Sequence, residues 1–179
     1  MIDFAGSGLG LRYGTVRVVR ARAGWVPIAD ELVASVRSAL SRLADDVQHV
    51  GSSAVAGLPA KPVLDLAIAV PARVQVDELV GPMVGLGWIY RGDAGDDGGW
   101  VFVMEDAPWH RVAHAHGVAA GGPQWRRYIE FRDLLRASAA ARRTYGEAKR
   151  RLARRFPDDA RRYTDAKRPT VEALLAGRA

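Results

Sequence analysis

The chain of 179 residues contains no cysteine. This absence excludes disulfide bonds, thiolate metal sites and cysteine nucleophiles. The chain also has no run of about 18 apolar residues, which is the length that a membrane-spanning helix needs. Residues 1–14 lack the charged start and the apolar centre of a signal peptide. We therefore expect a cytoplasmic protein with no membrane partner.

Basic residues, in contrast, are in excess. The formal net charge is +6, which favours an anionic partner. Seven of the basic residues lie within residues 142–155. This stretch is interpreted either as the solvated face of a helix or as a surface that faces phosphate groups or nucleic acid. Because no other feature favours nucleic acid, we do not expect nucleic acid to be the partner.

The spacing of apolar residues predicts a single α+β domain over residues 1–179, with a loose N-terminus over residues 1–14. Helical spacing begins at Pro27 and returns over residues 74–86 and from Gln124 to the end of the chain. Short apolar or β-branched segments predict the strands Thr15–Val19, Val47–Val50, Val63–Val70, Trp88–Tyr90, Trp100–Glu105 and Arg111–Val118. This order predicts a mixed β-sheet packed by helices, with a helical C-terminal third.

A predicted strand runs directly into the sequence Gly51-Ser52-Ser53. Glycine lets the backbone turn sharply and approach a ligand closely. The N–H groups and hydroxyls of such a turn can hold phosphate oxygens. The turn alone is also typical of an ordinary loop, so the residues around it decide whether it predicts phosphate binding.

The apolar strand Val63–Val70 carries one carboxylate, Asp65. A buried carboxylate is costly unless a metal, a cation or several donors compensate it. The other interpretation is an aspartate that caps the loop before the strand. A Gly-Ser turn followed by an apolar strand with aspartate resembles the nucleotidyltransferase pattern, in which the turn holds phosphates and carboxylates hold Mg²⁺.

A closer resemblance covers roughly residues 16–170. The stretch from His49 to Leu66 resembles the signature of the GrpB-like family, whose members have a nucleotidyltransferase-like fold and mostly no established activity. Further matches to that family are Gly24-Trp25, Glu31, Arg111, His114, His116, Trp125-Arg126, Phe131-Arg132-Asp133, Leu135-Arg136 and Tyr163-x-x-Ala166-Lys167. Two departures stand out, since Ala56 replaces a usual proline and Ala67 stands where an Asp-x-Asp metal pair would have its second acid.

The segment His114-Ala115-His116 places two imidazoles on one side of a predicted strand, because residues two apart share a face. Three interpretations stay open. The pair binds a metal together with Asp65, and such a donor set suits Zn²⁺ or Mn²⁺ better than Mg²⁺. Alternatively the pair contacts phosphate or acts as a general base. In the third interpretation one histidine packs in the core and the other is exposed.

Four cationic residues are candidates for binding a triphosphate or an acidic substrate. They are Lys61, Arg111, Arg132 and Lys167. Each is equally compatible with a surface or salt-bridging role, and Lys61 has the best case because its segment leads into the Asp65 strand. Asp93 and Glu105 are the candidates for the missing second carboxylate.

The first functional hypothesis is a nucleotidyltransferase that uses a nucleoside triphosphate, a small-molecule acceptor and a divalent metal, either Mg²⁺ or Mn²⁺, or Zn²⁺ if the histidine pair ligates it. The resemblance implies that Gly51, Ser52 and Ser53 hold phosphates and that Asp65 binds the metal. A second hypothesis is a His/Asp metal-centre enzyme that acts on a small molecule. A third is a non-catalytic accessory module that binds a nucleotide or a coenzyme A-like compound, since members of the family occur joined to dephospho-coenzyme A kinase.

Overall fold

The computed structural model describes residues 2–93 and 99–177, without the side chain of Asp93. The strands are β1 (Leu11–Arg12), β2 (Val19–Arg20), β3 (Asp46–Val50), β4 (Pro59–Ala60), β5 (Leu64–Val70), β6 (Ile89–Asp93), β7 (Trp100–Ala107) and β8 (His110–Ala119). The helices are α1 (Trp25–Ala39), α2 (Val76–Gly85), α3 (Pro123–Ala137), α4 (Ala139–Arg155) and α5 (Ala160–Leu175). A short 3₁₀ turn, Ser52–Ala54, follows β3.

A mixed sheet lies at the centre of the molecule, with the strand order β3-β5-β8-β7-β6. Strands β5 and β8 are parallel, whereas the pairs β3–β5, β6–β7 and β7–β8 are antiparallel. The short strand β1 pairs with the start of β8, and β2 pairs with β4 in a separate ribbon. The predicted hairpin between the last two strands is confirmed. These observations confirm the α+β class with a mixed sheet.

The two faces of the sheet serve different purposes. Successive side chains of a strand point to opposite faces, so Leu64, Leu66 and Ile68 of β5 share one face. They pack in the main core with Trp25 of α1 and Trp88, both of which are buried. Asp65 of β5 points to the opposite face, where α3, α4 and α5 cover the sheet. The sheet thus has an apolar core face and a face that carries Asp65, the one polar residue of β5.

The helices form where the apolar spacing predicts them. In α1, Ala29, Leu32 and Val36 are buried at helical intervals. The C-terminal third is helical as predicted, with three helices between Pro123 and Leu175. Pro157 separates the last two helices, but Pro169 lies inside α5 and does not end it. Among the described residues, no helix combines the length and the apolar character needed to cross a bilayer.

The structure differs from the sequence-based expectation at the N-terminus. Residues 1–14 are expected to be loose, yet Leu9 is buried and the N–H group of Gly10 donates to the carbonyl oxygen of Pro62 at 2.7 Å. Leu11 then pairs with Arg111 of β8. A two-residue strand is too short to show a periodic pattern in the sequence. Its position is determined by the strand with which it pairs, here β8. For the same reason the strand expected at Thr15–Val19 forms later, at Val19–Arg20.

Candidate functional site

A pocket of about 370 Å³ lies between the polar face of the sheet and the C-terminal helices. Most of the residues singled out from the sequence line it together. They are Gly51, Ser52, Ser53, Lys61, Asp65, His114, His116 and Lys167. The helices contribute further side chains, among them Tyr128, Tyr145, Lys149 and Tyr163. The pocket therefore joins chemistry from the strands with a wall built by α3, α4 and α5.

Strand register brings the carboxylate and the two imidazoles together. Asp65 of β5 lies directly beside His114 of β8, and Ala67 lies beside His116. Neighbouring residues in register share a face of the sheet. The Nδ1 atom of His114 is 3.5 Å from Oδ1 of Asp65, and ligand atoms of all three groups lie within 4.8 Å of one another. The expected His/Asp cluster thus exists as a geometric unit.

The cluster fits a single transition metal. Two ring nitrogens, Nε2 of His114 and Nδ1 of His116, are buried without a hydrogen-bond partner in the described part of the chain. A metal ion would satisfy such nitrogens, and one carboxylate with two imidazoles is a donor set that suits Zn²⁺ or Mn²⁺. A pair of Mg²⁺ ions does not fit, because the position of a second strand carboxylate is taken by Ala67, which is fully buried.

The Gly51 turn brings the Gly51-Ser52-Ser53 loop against Asp65. Gly51 has φ 70° and ψ −167°, a combination that is essentially restricted to glycine. A Cβ atom at this position would lie only 2.6 Å from Oδ2 of Asp65. Beyond the turn, Ser53 is held by a hydrogen bond of 3.0 Å between its Oγ and Nε2 of His49. The loop and the strand carboxylate therefore form one tightly packed corner of the pocket.

Lys149 is a pocket residue that the sequence analysis assigns to a basic stretch rather than to the site. It lies on α4 and is only 2% exposed, and its Nζ donates to Oγ of Ser52 at 2.5 Å. Burial, with the nearby charges of Lys167 and Lys61, lowers the pKa of Lys149 well below its ordinary value. The sequence does contain a signal for the burial of Lys149. Tyr145 belongs to the predicted apolar stripe of this helix, and Lys149, four residues later, lies on the same helix face.

Burial and nearby charges shift the pKa values of other groups in the pocket and of His49 beside the loop. Burial lowers the pKa of His116 to about 4 and that of His49 to about 4. Both imidazoles are therefore neutral at pH 7, and a neutral imidazole is the form that binds metal ions. For Asp65, burial alone would raise the pKa, but the hydrogen bond and charge of His114, with the charge of Lys61, hold that pKa well below its usual range.

Comparison with known proteins agrees with this geometry. The family model described as GrpB protein matches residues 15–176. The chain belongs to the GrpB family. Among relatives, a UPF0157 protein of Pseudomonas aeruginosa is 34% identical over 92% of this chain and 67% of its own length. The crystal structure of conserved protein GrpB from Enterococcus faecalis is similar with a TM-score of 0.77 at 29% identity, over 90% of this chain and 98% of that one.

Two more distant matches extend the comparison beyond isolated GrpB proteins. A dephospho-CoA kinase of Mycobacterium leprae is 28% identical over 88% of this chain, which corresponds to 45% of the kinase. The Cid1 poly(U) polymerase matches with a TM-score of 0.51 at 14% identity, over 77% of this chain and 44% of the polymerase. At that identity the match shows the fold alone, and it confirms the nucleotidyltransferase-like fold of this GrpB-family chain.

Two of the predicted cationic residues lie outside the pocket of this GrpB-family chain. The guanidinium of Arg111 stacks on the ring of Tyr13 at 4.1 Å and lies 3.8 Å from Glu105. Arg132 is buried beneath β3, where it donates to Oε1 of Gln48 at 2.9 Å and to the carbonyl oxygen of His49 at 3.2 Å. Both therefore have structural partners outside the pocket lining, and their contact with a ligand stays a prediction that these contacts do not favour.

Glu105, one of the two candidates for a second carboxylate, lies outside the pocket of this GrpB-family chain. Glu105 is held by Arg91 at 3.3 Å and accepts the backbone N–H of Trp109 at 3.0 Å, and it does not line the pocket. The side chain of Asp93 lies outside the described residues. Asp65 is thus the single carboxylate among the lining residues that the structure describes.

The structural role of Arg132 gives a first prediction. Arg132→Met should lower the free energy of unfolding by about 1–3 kcal/mol, because the buried oxygens of Gln48 and His49 lose their donor. Urea denaturation of the purified protein measures this change. The matched control is Arg126→Met, which removes an exposed arginine from the same helix and should stay within about 0.5 kcal/mol. Equal stabilities of the two variants would contradict the assignment of Arg132 as a support for β3.

Proposed function

We propose that this protein is a metal-dependent nucleotidyltransferase that moves a nucleotidyl group from a nucleoside triphosphate to a small-molecule acceptor. One observation carries the proposal: the Gly51 turn, the Asp65 carboxylate and the His114/His116 pair converge in one pocket of a nucleotidyltransferase-like fold. A phosphate-binding turn beside a metal-ligating cluster is the combination that phosphoryl and nucleotidyl transfer require. The match to the Cid1 polymerase supports this proposal through the fold alone.

The residues of the loop and strand edge have distinct tasks in this proposal. The tight Gly51 turn allows the chain to approach phosphate oxygens closely, and the hydroxyls of Ser52 and Ser53 donate to them. Lys61 supplies positive charge from the segment that leads into β5. Asp65 and His116 would hold Mn²⁺ or Zn²⁺, which leaves His114 for proton transfer. A bound ion would supply charge neutralisation on the transferring phosphate.

Proton removal from the acceptor is the second task. The pKa of His116, lowered to about 4 by burial, makes this imidazole a weak base at pH 7, so a ligand role suits it better. His114 faces Asp65 at 3.5 Å, and a carboxylate partner holds an imidazole in the orientation that a proton acceptor needs. His114 is therefore the residue that we assign to accepting the proton of the acceptor.

Calorimetric binding of ATP, GTP, CTP and UTP, with and without Mn²⁺ or Zn²⁺, tests the proposal. We expect at least one triphosphate to bind in a metal-dependent way. Lys61→Met should weaken that binding about 10- to 100-fold, since a charge-assisted contact contributes about 1.5–3 kcal/mol. Arg111→Met is the matched control, because Arg111 is also cationic but lies outside the pocket. Absence of binding for all four triphosphates with either metal would refute the proposal.

A second candidate function is a non-catalytic module that binds a nucleotide or a coenzyme A-like compound. The specific observation in its favour is Ala67, which is buried where a second metal-binding acid would stand. The similarity to part of a dephospho-CoA kinase supports the same idea. Binding of a nucleotide that needs no metal and survives Asp65→Asn, with no turnover, would favour this module over the transferase.

A further inference from the structure

The charge balance of the pocket points to the kind of ligand that it binds. Lys61, Lys149 and Lys167 all line it, and they come from three separate parts of the fold. Asp65 is the single carboxylate among the described lining residues. Arg127 and Arg168 line it as well, and Arg127 pairs with Glu172 at 3.6 Å. The three ammonium groups alone exceed the one carboxylate by two positive charges if all are ionised. This excess is unusual for an enclosed site and calls for an anion of matching charge.

Lys149 is the most enclosed of the three lysines. Its side chain is 2% exposed, and its polar contacts are the hydrogen bond to Ser52 and a position 5.3 Å above the ring centre of Tyr145. Lys167 lies 5.4 Å above the ring of Tyr163. Among the described residues, no carboxylate lies within 4.0 Å of any of the three ammonium groups, whereas other basic residues have such partners.

A buried ammonium without a counter-ion is destabilising. Burial accordingly lowers the pKa values of Lys61, Lys149 and Lys167 from their ordinary range. Hydrophobic residues of similar length would fill the same volume at α4 without this penalty. The presence of a lysine at this buried position is explained by a ligand that supplies the missing negative charge. The hydroxyl of Ser52, which accepts from Lys149, lies at the same place and can donate to a phosphate oxygen.

We propose that Lys149 and Lys167, with Ser52 and Lys61, form a metal-independent subsite for a polyphosphate chain. The subsite deepens the proposed function, on which it rests for the identity of the full ligand as a nucleoside triphosphate. Binding of the bare chain requires no metal and no turnover. An extended chain with several negative charges can contact lysines from the segment before β5, from α4 and from α5 together, whereas a single phosphate contacts fewer of them. The ligand is therefore expected to carry at least two linked phosphates.

Thermal unfolding of the full chain in EDTA, with inorganic triphosphate, pyrophosphate or orthophosphate at matched ionic strength, tests the subsite. Triphosphate at about 100 times its Kd should raise Tm by about 5–10 °C. Pyrophosphate should raise it less, and orthophosphate least. Lys149→Met and Lys167→Met should each lose most of this shift. Lys149→Met should unfold at the same temperature as the wild type or higher when no anion is present, because it removes an uncompensated buried charge.

Arg150→Met is the matched control, since Arg150 follows Lys149 on α4 but is exposed. It should keep the full triphosphate shift. No shift for the wild type, or a shift that Lys149→Met retains, would overturn the subsite. A shift that only Arg150→Met loses would assign binding to the basic surface and would overturn it as well. These outcomes are separate from failure of the proposed function, which is judged on metal-dependent nucleotide binding.

Discussion

Gly51→Ala should both destabilise the fold and disable the pocket. The backbone of Gly51, at φ 70° and ψ −167°, lies in a region that costs a residue with a side chain about 1–3 kcal/mol. A new Cβ would also come within 2.6 Å of Oδ2 of Asp65, so the carboxylate or the turn must move. We therefore expect the free energy of unfolding to fall by about 3 kcal/mol or more.

Gly57→Ala separates the cost of the backbone conformation from the cost of the contact with Asp65. Gly57 also has a positive φ, of 73°, but a Cβ there would meet nothing within 4 Å. This variant should lose only the backbone term of about 1 kcal/mol and should bind ligands as the wild type does. Urea denaturation and calorimetric metal or nucleotide titration measure both effects. If the two variants behave alike, close contact between the turn and Asp65 is not required for the site.

The sequence predicts most of this architecture because its strongest signals are local. The apolar run of β5 and the helical stripes of α1 and α4 reflect burial, and burial produces periodicity. The same applies to Asp65, because a charged residue within an apolar strand stands out in the sequence alone. The convergence of Asp65 with His114 depends on β5 and β8 being parallel neighbours. That pairing has no signal in either segment, because it depends on how the strands are arranged in the folded sheet.

Residues whose roles depend on distant partners are not predictable in this way. Lys149 is one basic residue among several in its stretch, and only the orientation of α4 places it against Ser52 rather than in solvent. Arg132 and Arg111 match family positions, yet the first supports β3 and the second stacks on Tyr13. Long side chains with several donors serve structural and ligand-binding roles equally well. The role of such a residue is determined by its position in the folded structure and not by its residue type.

Asp65→Asn should remove most of the affinity for a divalent metal. Asp65 is the single carboxylate of the described cluster, and its neighbours His114 and Lys61 depend on it for negative charge. The amide keeps nearly the same shape but provides no charge. Loss of one partner from a buried charged group costs about 3–5 kcal/mol, so the affinity should fall about 10²- to 10⁴-fold.

Calorimetric titration of the purified protein with Zn²⁺ and with Mn²⁺ measures this loss, and Asp46→Asn is the matched control. Asp46 is also a strand aspartate, but it pairs with Arg37 at the surface and not with the pocket. Its variant should bind metal as the wild type does. If Asp65→Asn retains full affinity, the cluster is not a metal site. The polyphosphate subsite would then remain the main anchor for a ligand, because it needs no metal.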